Sequence, residues 1–269
     1  MNKKIGFIGL GKMASAIIGG LVEAFPQKRE SILAAELNPE AAKMAQEKFG
    51  LKLVGSNQEL VQEADIIFLC VKPFVVKDVL EEIKFFVNEK KTIVSIAAGI
   101  SMETINKSLD SNLGIIRIMP NTPALVREGM SAIAATENVR DDDFDFVFEL
   151  FSQIGTAVKI SENLMDAVTA LSGSGPAFYY YLINEFAKSA TKEGLAYEDA
   201  LVMSAQTALG AAKMILETKL PPETLIKNVT TPGGTTEQGN IVLNASSIPS
   251  IFDEVIAKTA QKSRELGKK

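Results

Sequence analysis

Near its start the chain reads Ile5-Gly6-Phe7-Ile8-Gly9-Leu10-Gly11-Lys12-Met13-Ala14, an apolar run that passes through paired glycines into a helical pattern. Lys3 to Ile8 has the make-up of a buried parallel strand, and Ala14 to Leu21 spaces its apolar residues as a helix does. Between them Gly9 permits a tight turn, Gly11 lets backbone approach a pyrophosphate, and Ala14 lets the helix pack closely on the strand. The free N–H groups and positive dipole end of that helix suit phosphate oxygens. The pattern predicts the first strand–turn–helix of a dinucleotide-binding sheet. Lys3-Lys4 before an apolar run could also open a secretory leader. Lys12 interrupts that run, and glycines stand where leucines would, so no leader is expected.

Such a turn requires strands and helices to alternate after it, and from 31 to about 160 they do. Ser31 to Glu36 reads as a second strand and Pro39 to Phe49 as a helix, with Asn38 as its cap. Asp65 to Val71, Thr92 to Ala97 and Leu113 to Met119 read as buried strands. They stop at Lys72-Pro73, at Ala98-Gly99 and at Pro120-Asn121-Thr122-Pro123. A parallel sheet with helices on both faces follows, and its ligands belong at the carboxyl ends of the strands. After Ser161-Glu162 the strand signal fades. Helices are expected at 162–171, 176–193, 197–217, 222–229 and 235–267, the last broken around Ser246 to Pro249. The chain therefore reads as an α/β Rossmann-type dinucleotide-binding domain over 1–160 and an all-α domain over 161–269. Phe178 to Tyr181 and the apolar face of Ile251, Phe252, Val255 and Ile256 exceed what this helical half can bury alone. Its expected partner is a second copy, making it a dimerisation domain.

The chain has no histidine. That excludes a Ser-His-Asp triad, a His-ligated zinc and a histidine acid/base. With one cysteine as well, no metal site is expected. Cys70 lies inside an apolar strand, fits a buried structural thiol, and accords with a reducing cytoplasm. The net charge is −5 and only the Lys268-Lys269 pair is a basic cluster, so no nucleic-acid partner is expected. The longest apolar runs are too short to span a bilayer, so no membrane is expected either.

Chemistry must then come from a cofactor aided by hydroxyls, lysines or carboxylates. Glu36 ends the second strand about 20 residues past the glycine turn, where an acid bonds the adenosine ribose; it could equally be a solvated helix-start residue. Lys72 follows a buried strand and should reach the crevice, unless it is an ordinary surface lysine. Two glycine clusters lie in the helical half. Ser172-Gly173-Ser174-Gly175-Pro176-Ala177 should separate two helices. Thr230-Thr231-Pro232-Gly233-Gly234-Thr235-Thr236-Glu237 should open another, leaving N–H groups and two hydroxyls as a carboxylate-binding turn. Taken singly, each could be a plain loop with a capping threonine.

GFIGLGKMA, the VKP after a buried strand, SIAAGI, RIMPNTPA, DAVTALSGSGPA and NVTTPGGTT occur in that order over nearly the whole chain. Together they resemble pyrroline-5-carboxylate reductase. The resemblance implies NAD(P)H-dependent reduction of a cyclic imine to proline, and dimers, often assembled into rings, whose substrate site is built from two chains. It places cofactor contacts on Ile8, Gly9, Leu10, Gly11, Lys12, Met13, Glu36, Asn57, Val71, Lys72, Pro73 and Ala98, with Asn228 nearby. It places substrate contacts on Glu162, Thr235 and Thr236, with Ser174 and Gly175 lining the pocket. Gly234 and its neighbours would anchor a carboxylate, and the Thr236 hydroxyl would bond the ring nitrogen. Relatives that prefer NADPH usually carry small polar or basic residues where this chain has Glu36-Leu37, so NADH should be usable. A β-hydroxyacid dehydrogenase shares the N-terminal turn but uses a helical lysine, which the SGSGPA segment lacks. A non-catalytic nucleotide-binding relative would not need an intact TTPGGTTEQG.

Overall fold

The computed structural model describes residues 3–267, so the Lys268-Lys269 pair lies outside the described residues. The chain divides into two compact units, one of residues up to Ser174 with those from Ala257 on, the other Gly175–Ile256. This division falls later than the expected boundary at 160. The segment after Ser161 is bonded into the sheet unit: Glu162 accepts from Met102 N at 2.7 Å, and Asn121 donates to the Ser172 carbonyl at 3.0 Å. The chain's last turns join it too, through Ser263 Oγ and Asp166 Oδ1 at 2.5 Å.

Strands β1 (Ile5–Ile8), β2 (Ile32–Ala35), β3 (Lys52–Leu53), β4 (Ile66–Leu69), β5 (Thr92–Ser95), β6 (Gly114–Met119), β7 (Gly129–Ala135) and β8 (Gly155–Lys159) form one sheet. Their order is β3-β2-β1-β4-β5-β6-β7-β8. The first six strands are parallel, in the dinucleotide-binding order that reverses between β1 and β4. The sheet is not parallel throughout, as the sequence suggested. β7 runs antiparallel to β6, and β8 pairs parallel with β7. The reason is the connection: a parallel return needs a crossover helix, and β6 is followed only by the short 3-10 turn Thr122–Val126.

β1, β2, β4 and β5 are buried along their whole lengths, as strands covered on both faces must be. On one face Phe7 stacks on Phe68 with ring centroids 4.7 Å apart. That face is covered by α1 (Lys12–Ala24), α2 (Pro39–Phe49) and α6 (Asp141–Ser152), through Ile17, Leu21, Phe49, Val147 and Leu150. On the other, Ile8, Ile67 and Leu69 meet α3 (Asn57–Glu63), α4 (Pro73–Ile83) and α5 (Met102–Leu109). Full burial of a side chain of this size contributes about 1.5–3 kcal/mol. At the amino ends of the strands, Asp143 is wholly buried in the first turn of α6. It accepts from Lys3 Nζ, from Thr92 Oγ1 at 2.7 Å, and from Arg140 Nε and Nη2 at 2.9 and 2.6 Å. Burial works against its charge, but these donors outweigh burial and hold its carboxyl below the usual range.

Between the sheet and the helical unit come a 3-10 turn (Glu162–Leu164), α7 (Met165–Val168) and a π-helical turn (Thr169–Gly173). Ser172–Ala177 separates two helices as expected, with the break narrowed to Ser174 and Pro176 in the first turn of the second. The π turn takes up the extra residues, with Ser174 N–H bonded to the Thr169 carbonyl at 2.8 Å, and the next helix begins at Gly175.

The second unit consists of α8 (Gly175–Thr191), α9 (Tyr197–Thr218), α10 (Pro222–Val229), α11 (Thr235–Asn244) and the start of α12 (Ile248–Leu266). The break expected near Ser246 to Pro249 falls between α11 and α12. In α8 to α11 only Gly175, Ala187 and Ala200 are buried. Tyr179, Tyr180, Tyr181, Val202, Leu216 and Val242 are each more than 60% exposed. So much apolar surface without a core of its own is the mark of an association face. Among the described residues, no helix is long and apolar enough to cross a membrane.

Candidate active site

The crevice at the β1/β4 switch point is built from the predicted turn. Ile8 closes β1, and Gly9 follows at φ +90°, a conformation that favours glycine. Its N–H continues the ladder to the Ala35 carbonyl at 2.9 Å, and a Cβ there would lie 3.1 Å from the Cys70 carbonyl oxygen. Leu10 is buried, which pins the turn to the sheet unit. Gly11 is the N-cap of α1, and a Cβ built on it would meet nothing within 4 Å. Lys12 and Met13 begin the helix. No side chain caps it and no acid stands in its first turn, so its N–H groups and dipole are left for an anion.

Beside the turn lies a cleft of about 200 Å3 lined by Ile8, Gly9, Glu36, Asn57, Val71 and Glu82, among others. Glu36 follows directly on β2. Its Oε2 accepts from Leu10 N at 2.7 Å and its Oε1 from Asn38 N at 2.8 Å, so one carboxylate ties the glycine turn to the start of α2. Asn57 opens α3 and donates to Glu82 Oε2 at 2.8 Å. Lys72 is the exposed N-cap of α4, and Pro73 is its first residue. Ala98 is half-buried just past β5. Cys70 borders the turn, but burial pushes its thiol far up, so it stays protonated and inert. These residues fit a dinucleotide: an uncapped helix start with open space at Gly11, and an acid at the end of β2.

In the helical unit, Gly233 adopts φ +76° and Gly234 is the N-cap of α11, again without a side-chain cap. The loop is stiffened from within the helix. Glu237 Oε2 accepts from Gly233 N at 2.9 Å, and Asn240 donates to Thr230 Oγ1 at 2.9 Å. Thr235 and Thr236 occupy the exposed first turn. The helix start is uncapped, and a hydroxyl stands on either side of one peptide in its first turn. Asn228 is exposed on α10.

Glu162 is engaged elsewhere. Its Oε1 accepts from Met102 N, at the start of α5, and from Arg117 Nη1 at 3.0 Å. Two polar residues of the sheet unit escaped the sequence reading. Arg117 is buried in β6 and pairs with Glu162. Asn121 is buried just after β6 and holds both Ser172 and Met130. The signal for Arg117 was an arginine within Gly114-Ile115-Ile116-Arg117-Ile118-Met119, where an apolar residue would pack.

Comparisons with known proteins cover both halves. Residues 162–266 match the family described as pyrroline-5-carboxylate reductase dimerisation, and residues 4–99 match that described as NADP oxidoreductase, coenzyme F420-dependent. A pyrroline-5-carboxylate reductase of Methanosarcina acetivorans is 42% identical over 268 residues, 100% of this chain and 99% of its own. The solved structure of a pyrroline-5-carboxylate reductase from Coxiella burnetii superposes with a TM-score of 0.94 at 33% identity, covering 100% of both chains. That of Plasmodium falciparum pyrroline carboxylate reductase with NADP bound gives a TM-score of 0.87 at 32% identity, covering 99% of this chain and 98% of the other.

Proposed function

The chain belongs to the pyrroline-5-carboxylate reductase family, and we propose that two uncapped helix starts, those of α1 and α11, carry its reaction. It is an NAD(P)H-dependent oxidoreductase that reduces pyrroline-5-carboxylate to proline. The single observation behind this reading is identity at 42% over the full length of both chains. Full-length identity, not the shared glycine turn, separates it from β-hydroxyacid dehydrogenases.

On the cofactor side, the α1 N–H groups hold the pyrophosphate and Glu36 takes the ribose hydroxyls, with Asn57, Val71, Lys72, Pro73 and Ala98 around them. A carboxylate at that position repels a ribose phosphate, and the exposed Leu37 offers no cation to offset it. NADH is therefore accepted at least as well as NADPH.

On the substrate side, the N–H groups of Gly234, Thr235 and Thr236 anchor the carboxylate. The Thr236 hydroxyl bonds the ring nitrogen, and Ser174 and Gly175 line the pocket. When bound, the reduced nicotinamide supplies the hydride, which adds to the imine carbon while the nitrogen keeps its proton and becomes an amine. No alkoxide forms, so a chain without histidine needs no strong general acid. What this chain must do is hold the ring in place, and positioning of this kind removes several kcal/mol of barrier, of order 7–11 at best. The Arg117–Glu162 pair stiffens the start of α5, so Glu162 supports the pocket through the backbone.

The apolar helical unit associates with a second copy, and we read the assembly as a closed dimer or ring. Its place is the cytoplasm, in keeping with a single cysteine, half-buried just past β4. The assignment of Thr236 is tested by steady-state kinetics of Thr236→Ala and Thr236→Ser beside thermal melts. Loss of kcat in the alanine variant and its recovery in the serine variant support it. Unchanged kcat/KM with a lowered Tm would make Thr236 a helix cap only.

A further inference from the structure

We propose that Asn121 is a positioning residue for the Ser172–Pro176 segment, standing in for the backbone N–H that Pro176 lacks; the proposal rests on the assignment of that segment to the substrate pocket. The π turn ends at Gly173 and α8 begins at Gly175, and only a helix running unbroken across Ser174 would let the Ser172 carbonyl accept from the N–H of residue 176. That residue is proline and has none. Asn121, an extended residue just past β6, supplies the donor from outside the helix, with Nδ2 3.0 Å from the Ser172 carbonyl oxygen. The other end of the same amide is fixed as well: Oδ1 accepts from Met130 N, beside the start of β7, at 2.8 Å. Asn121 is only 8% exposed.

The turn that Asn121 grips is already irregular. Thr169–Gly173 is wound as a π helix, and two hydroxyls take up carbonyls along it. Thr169 Oγ1 donates to Met165 at 2.7 Å and Ser172 Oγ to Val168 at 3.1 Å. Hydroxyl bonding of this kind bends a helix, and here the turn gives way at Ser174 to a new helix in whose first turn Pro176 stands. At this break the sheet holds the chain through the bond from Asn121 to the Ser172 carbonyl. Losing the amide orphans a carbonyl and lets the segment tilt away from its substrate-lining position.

The test uses the full chain with Asn121→Ala, Asn121→Asp, Pro176→Ala and the Asn121→Ala/Pro176→Ala double variant. Asn121→Asp keeps the acceptor for Met130 but has no N–H for Ser172 at neutral pH. Both Asn121 variants should raise the KM for pyrroline-5-carboxylate about tenfold, the scale of one lost hydrogen bond. The Kd for NADH, read by fluorescence without substrate, should not move. Pro176→Ala restores a backbone donor at residue 176, so on that background Asn121→Ala should cost far less. Unchanged substrate KM in both Asn121 variants would overturn the proposal. So would an equal loss with and without Pro176, or KM and NADH affinity worsening together. Thr236→Ala separates this failure from that of the site itself. If Thr236→Ala is impaired while the Asn121 variants are silent, only the role of Asn121 falls. If Thr236→Ala is silent too, the substrate-site assignment falls with it.

Discussion

Replacing Glu36 tests both the fold's use of the glycine turn and the choice of cofactor. Its carboxylate makes two backbone hydrogen bonds, to Leu10 at 2.7 Å and to Asn38 at 2.8 Å, and it sits half-buried in the crevice wall. Glu36→Ser removes the charge and both acceptors. Like charges roughly 5 Å apart in a half-exposed site repel by about 1–2 kcal/mol. Relieving that repulsion should raise the NADPH-to-NADH ratio of kcat/KM by about 5- to 30-fold. The gain should shrink as salt is added, because an exposed repulsion is screened. Use of NADH should weaken at the same time, since the ribose loses its acceptor and the Leu10 N–H loses the bond that steadies the turn. Glu36→Gln separates the two effects, because it removes the charge and keeps one acceptor oxygen. The assay is initial-rate kinetics with each cofactor at saturating pyrroline-5-carboxylate, at low and high salt. A ratio unmoved in both variants would refute the reasoning, as would a wild-type preference for NADPH above about a hundredfold, more than that repulsion could leave standing.

Asp143→Asn should cost about 1.5–3 kcal/mol in urea unfolding at pH 7, because Lys3, Thr92 and Arg140 lose charge-assisted bonds to a buried carboxylate while Lys3 and Arg140 stay within reach of water. The wild-type carboxyl lies below its ordinary value of 3.8. A lowered folded value stabilises above that pH and is lost as pH falls through it, so the variant's deficit should shrink in unfolding curves taken below about pH 4. Thr236→Ala should lower kcat/KM on the order of ten- to a hundredfold, mostly in kcat, with Thr236→Ser recovering much of it; kinetics beside melts check this. The exposed faces of α8 to α12 predict an obligate oligomer, and sedimentation showing a stable, active monomer at low concentration would contradict it.

Much of the nucleotide half was legible because its signals are local. A strand buried on both faces is a continuous apolar run, and Gly9, Gly11 and Ala14 each answer a steric demand of one turn. The reversal at β7 was not legible, since Gly129–Ala135 is as apolar as the parallel strands and only the missing crossover helix betrays its direction. The break before Pro176 was legible, but the π turn that runs up to it was not, nor was its tie to Asn121, 51 residues away in sequence. Glu162 shows the same limit. The resemblance marked it for the substrate, but whether its oxygens face a ligand or Arg117 depends on a partner 45 residues away.

The central claim is the reaction, and the most direct measurement is oxidation of NADH or NADPH by the purified full-length protein with pyrroline-5-carboxylate as acceptor. The expected result is substrate-dependent loss of reduced-nicotinamide absorbance with proline as the product, and no oxidation with 2- or 3-keto acids. Turnover of a keto acid in place of the imine, or tight cofactor binding with no turnover of pyrroline-5-carboxylate, would contradict it.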